Sequence, residues 1–366
     1  MTKPVRVLVV DDSALMRKLI PKILERDDSI EVVGTAMDGN FGLKKIADLD
    51  PHVITLDLEM PGLNGIDTLK EVMRRWQLPV IVVSSHSTAG ASITLKALGL
   101  GAFDFVAKPA DVSARMPEIA AELIAKIKAA AQSKGFRPQL MAEGGPPASK
   151  TAKPGAAAPT RVVAIGISTG GPNALQYLLP QLPTEFPGSI LVVQHMPHGF
   201  TEMFAKRLDE ICAVRVKEAQ SGDLLLAGRV LVCPGNRHLK VKKLPLGNVA
   251  VLADEAAVHG HRPSVDVLFR SVAEEFGAQS LAVIMTGMGD DGASGMGAVR
   301  AAGGMTIAQS EESCVVFGMP KAAIDRGYVT RVVHLEDLPN TLQAQCAPER
   351  TRGNLGSGRA TSAGSN

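Results

Sequence analysis

The stretch Val5-Arg6-Val7-Leu8-Val9-Val10-Asp11-Asp12-Ser13 decides the fold. A continuous apolar run bounded by charge is what a strand buried on both faces of a parallel sheet requires. Similar runs recur at residues 31–36, 52–56, 79–84 and 102–106. Stretches with helical periodicity lie between them, as at 14–24 and around 95–98. Five strands alternating with helices predict an α/β, doubly wound (βα)5 domain. In such sheets ligands sit beyond the carboxyl ends of the strands.

The chain has 366 residues, enough for about two domains at roughly 150 residues each. Its 45% hydrophobic and 21% charged residues exclude a disordered or collagen-like chain. Aromatics at 4% suit a core of Val, Leu, Ile and Ala. The formal charge is +2; residues 1–135 hold 17 basic and 17 acidic side chains, leaving 22 and 20. With neither half polarised, no nucleic-acid footprint is expected. Cys212, Cys233, Cys314 and Cys346 are widely spaced, so neither a disulfide framework nor a zinc site is expected. No apolar run reaches the ~18 residues of a membrane span, and the run after Val5 is too short for a signal peptide. A cytoplasmic protein without membrane insertion is expected.

The texture changes at 134–159, where Gly, Pro and Ala dominate without periodicity. The expected division is a first domain at 1–130, a flexible linker at 131–159, a second domain at 160–347 and a disordered tail at 348–366. Runs at 162–165, 189–193, 229–233, 248–252, 281–286 and 304–308 predict that the second domain is also α/β, with a mainly parallel sheet.

In the first domain Asp11 and Asp12 follow the first strand and Asp57 follows the third. Their carboxylates would converge at one sheet edge as a hard-oxygen site of the magnesium type. Ser84 closes the fourth strand and Lys108 follows the fifth, adding a hydroxyl and an ammonium suited to a phosphoryl group. Asp57 would then be the acceptor. Acidic residues also cap helices after strands, but these residue types at successive strand ends favour a site. Residues 4–125 resemble a response-regulator receiver domain, on the strength of 10–13 (Val-Asp-Asp-Ser), Asp57 with 60–65 beyond it, Ser84 and Lys108-Pro109. The resemblance implies Mg²⁺-dependent phosphorylation of Asp57 by a partner histidine kinase, relayed through Ser84 and Lys108.

The second domain opens with a strand and then Gly166-Ile167-Ser168-Thr169-Gly170-Gly171-Pro172. Gly166-x-Ser168-x-Gly170 fits a nucleophile on a sharp strand-to-helix turn. A dinucleotide fingerprint would need Gly in place of Ser168 and an acid about 20 residues on. An idle serine in a glycine turn is the bland alternative. His195 ends the next strand on the same edge and could act as general base. Residues 285–295 form a third strand end, Gly-rich, where Asp290 or Asp291 could orient the base. The order Ser, His, Asp differs from that of the α/β-hydrolases. His259 and His261 could pair on a metal, but a loop in the substrate cleft fits better. Thr169, Gln194, Arg262 and Ser264 are further cleft candidates. His198, His238 and His334 read as ordinary hydrogen-bonded histidines.

Residues 160–345 resemble the catalytic domain of the chemotaxis protein-glutamate methylesterases. The matching stretches are 167–172, 194–201, 261–269 and 285–293. The resemblance implies Ser168 as nucleophile, His195 as base, Asp291 as orienting acid and the Met288 N–H in an oxyanion hole. The family mostly carries Asn where this chain has Asp290. It also implies hydrolysis of glutamate methyl esters on methyl-accepting chemoreceptors and deamidation of receptor glutamines, with no cofactor for the ester chemistry. An adaptor with an inactive triad is the alternative. A transcription factor is not supported, since residues 160–345 show neither a helix-turn-helix nor a basic face.

Overall fold

The computed structural model describes residues 3–85, 87–108, 116–133 and 157–348. The first domain runs β1 (Val5–Val10), α1 (Ala14–Leu24), β2 (Ile30–Ala36), α2 (Gly39–Leu49), β3 (Val53–Leu56), α3 (Gly65–Arg75), β4 (Val80–Ser84), α4 (Thr88–Gly99), β5 (Asp104–Ala107) and α5 (Met116–Gln132). The sheet order is β2-β1-β3-β4-β5, and every pairing is parallel. Val7, Leu8 and Val9 are fully buried, as their unbroken apolar run requires. Polar residues start the helices: Ser13, Asp38, Asn64 and Ser87 each accept a backbone N–H of the first turn. The carboxyl ends of β1, β3, β4 and β5 therefore share one edge.

The second domain runs β6 (Val162–Ile167), α6 (Gly171–Leu178), β7 (Ser189–Gln194), α7 (Phe200–Ile211), β8 (Arg215–Glu218), β9 (Arg229–Val232), β10 (His238–Leu244), β11 (Gly247–Ala253), α8 (Val265–Phe276), β12 (Ser280–Ile284), α9 (Ala293–Ala301), β13 (Met305–Gln309), α10 (Met319–Asp325), β14 (Arg331–Val333) and α11 (Leu338–Cys346). Seven parallel strands are ordered β14-β13-β12-β6-β7-β9-β8. From β6 the chain first fills one side of the sheet and later returns through β12 to fill the other. The crevice at that reversal is where such sheets bind ligands.

The expected strand at 248–252 is β11, which pairs antiparallel with β10 in a hairpin outside the main sheet. Edge strands β8 and β14 were not expected; each is short and polar or half-exposed, as edges commonly are. α5 extends through Gln132, so the expected linker begins inside a helix. Residues 134–156 of that linker and 349–366 of the expected tail lie outside the described residues, as does Pro109. Among the described residues no helix is long and apolar enough to cross a membrane.

Candidate functional sites on two sheet edges

β6 and β7 are neighbours in register, Ile167 against Gln194, so Ser168 and His195 leave adjacent strands at the same level. The Ser168 turn is tight: Ser168 N–H donates to Thr286 O at 3.0 Å, and Gly171 N–H donates to Ser168 O at 2.8 Å. Gly170 lies in the left-handed region at φ +76°. Gly171 is needed for close approach, since a Cβ there would sit 2.0 Å from Gln194 Oε1. The buried Gln194 amide donates to the carbonyls of Ser168 and His195, at 3.0 and 3.1 Å, and so ties the two turns together.

His195 Nε2 lies 2.8 Å from Asp291 Oδ2. Asp291 is 1% exposed. The start of α8 surrounds its carboxylate: Ser264 Oγ donates at 2.7 Å, Val265 N–H at 2.8 Å and Asp266 N–H at 3.1 Å. A helix N-terminus favours an anion through both its free N–H groups and its dipole. Burial alone would raise the Asp291 pKa; the bonds from His195, Val265 and Ser264 outweigh it and hold the pKa at about 2. With Nε2 engaged, Nδ1 is the nitrogen left for Ser168, and among the described residues it is buried without a hydrogen-bond partner.

The two adjacent acids face different partners. Asp290 is exposed and pairs with Arg326 at 2.5 Å, while Asp291 faces His195. The turn after β12 lies against Ser168, since a Cβ on Gly287 would come within 2.8 Å of Ser168 Cβ. Val316 and Met319 brace that turn through Gly287. Met288 projects into solvent, and its N–H has no hydrogen bond among the described residues.

His259 and His261 do not form a metal pair. The His261 ring stacks on His195, whereas His259 Nε2 lies 3.9 Å from Asp266. The buried His238 spends both nitrogens, on Ala256 O and on Ser264 N–H. The clamp on Asp291 by Val265 and Asp266 escaped sequence reading, because backbone N–H groups leave no residue signature. Ser264 was named as a cleft residue, without this role.

In the first domain Lys108 Nζ reaches Asp57 Oδ2 at 2.6 Å and Asp11 Oδ2 at 3.0 Å. Carboxylate oxygens of Asp11, Asp12 and Asp57 lie within 4.8 Å of one another. Burial, with the Asp57 charge, raises the Asp11 pKa despite Lys108. The all-oxygen cluster fits a hard divalent cation. Ser84 Oγ donates to Gly90 O at 3.3 Å, and Lys108 N–H donates to Ser84 O at 2.7 Å.

The receiver sits on the second domain next to the Ser168 turn. Phe105 of β5 stacks on Phe200 at the start of α7, with centroids 4.8 Å apart. Asn173 Nδ2 of α6 donates to Ala102 O at 3.4 Å. Val315 packs against the receiver side of the structure and also blocks any side chain at Gly170.

A phosphoacceptor-type receiver joined to a domain that gathers serine, histidine and aspartate at one sheet edge defines a response-regulator hydrolase. Family models match as "Response regulator receiver domain" over residues 7–119 and "CheB methylesterase" over 163–342. The chain is 60% identical over 356 residues to a protein-glutamate methylesterase/protein-glutamine glutaminase of Koribacter versatilis, covering 95% of this chain and 98% of that relative. It is 43% identical to the one of Pyrococcus horikoshii, covering 97% of each. The crystal structure of the Thermotoga maritima CheB methylesterase catalytic domain is 42% identical with TM-score 0.49, covering 50% of this chain and 97% of that one. The chain belongs to the protein-glutamate methylesterase/protein-glutamine glutaminase family. Enzymes so named match nearly the whole length, and the adaptor alternative finds no support.

Proposed function

We propose that this protein hydrolyses the methyl esters of glutamate side chains on chemoreceptors, and deamidates receptor glutamines, under control of Asp57 phosphorylation. The observation that carries the chemistry is the buried Asp291–His195 pair beside Ser168. Asp291 holds His195 in the tautomer with a proton on Nε2 and stabilises the charge that forms. Nδ1 accepts the Ser168 proton as Oγ attacks the ester carbonyl. The free N–H of Met288 is the candidate donor for the oxyanion. His195 returns the proton to the departing methoxide, and water then hydrolyses the acyl-enzyme. With an amide substrate the same steps release ammonia.

Asp11, Asp12 and Asp57 would hold Mg²⁺, which when bound offsets the charge of the incoming phosphoryl group. Lys108 pairs with Asp57 and can pair with its phosphoryl oxygens, and Ser84 can donate to one of them. The phosphodonor is a histidine kinase. The receiver contact beside the Ser168 turn restrains the unphosphorylated enzyme. A phosphoryl group brings about −1.5 to −2 charge and shifts that docked equilibrium. The working compartment is the cytoplasm.

Hydrolysis of small glutamyl methyl esters by the full chain tests the site. Ser168→Ala and His195→Ala are each expected to lower kcat by at least ~10³-fold. Wild-type rates in either variant would discard the assignment.

A further inference from the structure

We propose that His261 is a positioning residue for the general base. Its ring lies flat on the imidazole of His195 and holds that ring in the plane where Nε2 meets Asp291 and Nδ1 is left for Ser168. The inference rests on the triad reading above and extends it. The two ring centroids are 4.0 Å apart and the rings are 2° from parallel.

A single hydrogen bond does not fix a ring. Held by its Cβ and by Asp291, the His195 imidazole can still rock about the line joining them. Rocking would swing Nδ1 out of line with Ser168 while leaving Nε2 in place. A flat neighbour on one face removes that freedom. The need is real here, because among the described residues Nδ1 has no hydrogen bond of its own to steady it.

His261 is built to serve as that neighbour. Val258 and His261 exchange both backbone hydrogen bonds, at 3.0 and 2.9 Å. Between them His259 and Gly260 both have positive φ, +50° and +79°, which is the two-residue turn of a tight hairpin. The next residue is anchored as well. Arg262 donates from Nε and Nη2 to Asn236 Oδ1, at 3.0 and 2.5 Å, and from Nη1 to Glu255 O at 3.2 Å. Its carbonyl accepts Asn236 N–H at 3.1 Å. The ring is thus presented from a loop pinned on both sides of it.

The pairing also suits the protonated state. Burial and the neighbouring His195 and His259 hold the His261 pKa below the ordinary histidine value, against the opposing pull of Asp291 and Asp290. When His195 takes the Ser168 proton, its cation lies on the face of a neutral π system.

The test uses the full chain with acetyl phosphate and Mg²⁺, acting on a small glutamyl methyl ester. His261→Phe keeps a flat ring without nitrogens; His261→Leu keeps bulk without a plane. The readouts are kcat, KM and the downfield proton resonance of the His195–Asp291 hydrogen bond. The expected result is that His261→Leu loses ~10- to 100-fold in kcat, with KM within about twofold and the resonance broadened. His261→Phe is expected to keep kcat within about threefold of wild type and a sharp resonance. Wild-type kcat in the Leu variant would overturn the proposal. So would equal losses in both variants, which would make a ring nitrogen the essential feature. A rise in KM at unchanged kcat would assign His261 to substrate contact and also overturn it. Ser168→Ala is run in parallel: hydrolysis surviving there would sink the triad reading itself, independently of His261.

Discussion

Asp291 is almost wholly removed from water, yet its pKa is held at about 2 because hydrogen bonds outweigh the burial. Two predictions follow at this scale. Asp291→Asn keeps the shape but can present its amide to His195 in the wrong tautomer, so kcat should fall by about 10³–10⁴-fold with little change in KM. Steady-state kinetics on small esters check it. The second concerns acid stability. The folded pKa lies below the unfolded value near 3.8, so this carboxylate stabilises the fold above that value. The contribution, about 2 kcal/mol, is lost as pH falls from about 4 through 2. Urea unfolding between those limits should show a steeper pH dependence for wild type than for Asp291→Asn. The adjacent Asp290 makes the contrast. Its exposed pair with Arg326 contributes at most ~1 kcal/mol, and Asp290→Asn should keep kcat within about threefold.

At the scale of elements, β6, β7 and β12 aim the three residues, and α8 completes the site. α8 lies so close to β6 that only glycine fits at 166: a Cβ there would sit 2.1 Å from Val265 Cγ1. Gly166→Ala must therefore push the start of α8 away. It should cost about 1–3 kcal/mol of stability as overpacking, and lower kcat because Val265 donates to Asp291. Thermal unfolding and ester kinetics measured together check both effects. The central strands and their chemistry-bearing ends were legible because apolar runs and polar ends are side-chain signals. The α8 clamp was not, being mostly backbone. β10 was missed because Lys240, Lys242 and Lys243 interrupt its apolar pattern in a hairpin exposed to water. The stack of His261 on His195 required the fold to bring together residues 66 positions apart in the chain. Asp290 and Asp291 could not be separated by the residues alone; the family resemblance favoured Asp291, and it is Asp291 that contacts His195 while Asp290 pairs with Arg326.

At the scale of the whole molecule, the receiver meets the second domain through β5 and α4. A cavity of about 530 Å³ remains between α4 and α7, lined in part by Leu95, Lys96, Met203 and Arg207. Removing the Phe105 ring from its stack on Phe200 should raise the activity of unphosphorylated enzyme. A coupling of about 1–3 kcal/mol corresponds to roughly 5- to 150-fold, and Phe105→Ala should fall within that range. The check is ester hydrolysis without acetyl phosphate. The measurement that reaches furthest is methanol release from methylated receptor membranes, comparing wild type, Ser168→Ala and Asp57→Ala with and without acetyl phosphate plus Mg²⁺. Release is expected to require Ser168 and to increase with acetyl phosphate only when Asp57 is present. Release that persists in Ser168→Ala, or that responds to acetyl phosphate equally in Asp57→Ala, would contradict this expectation.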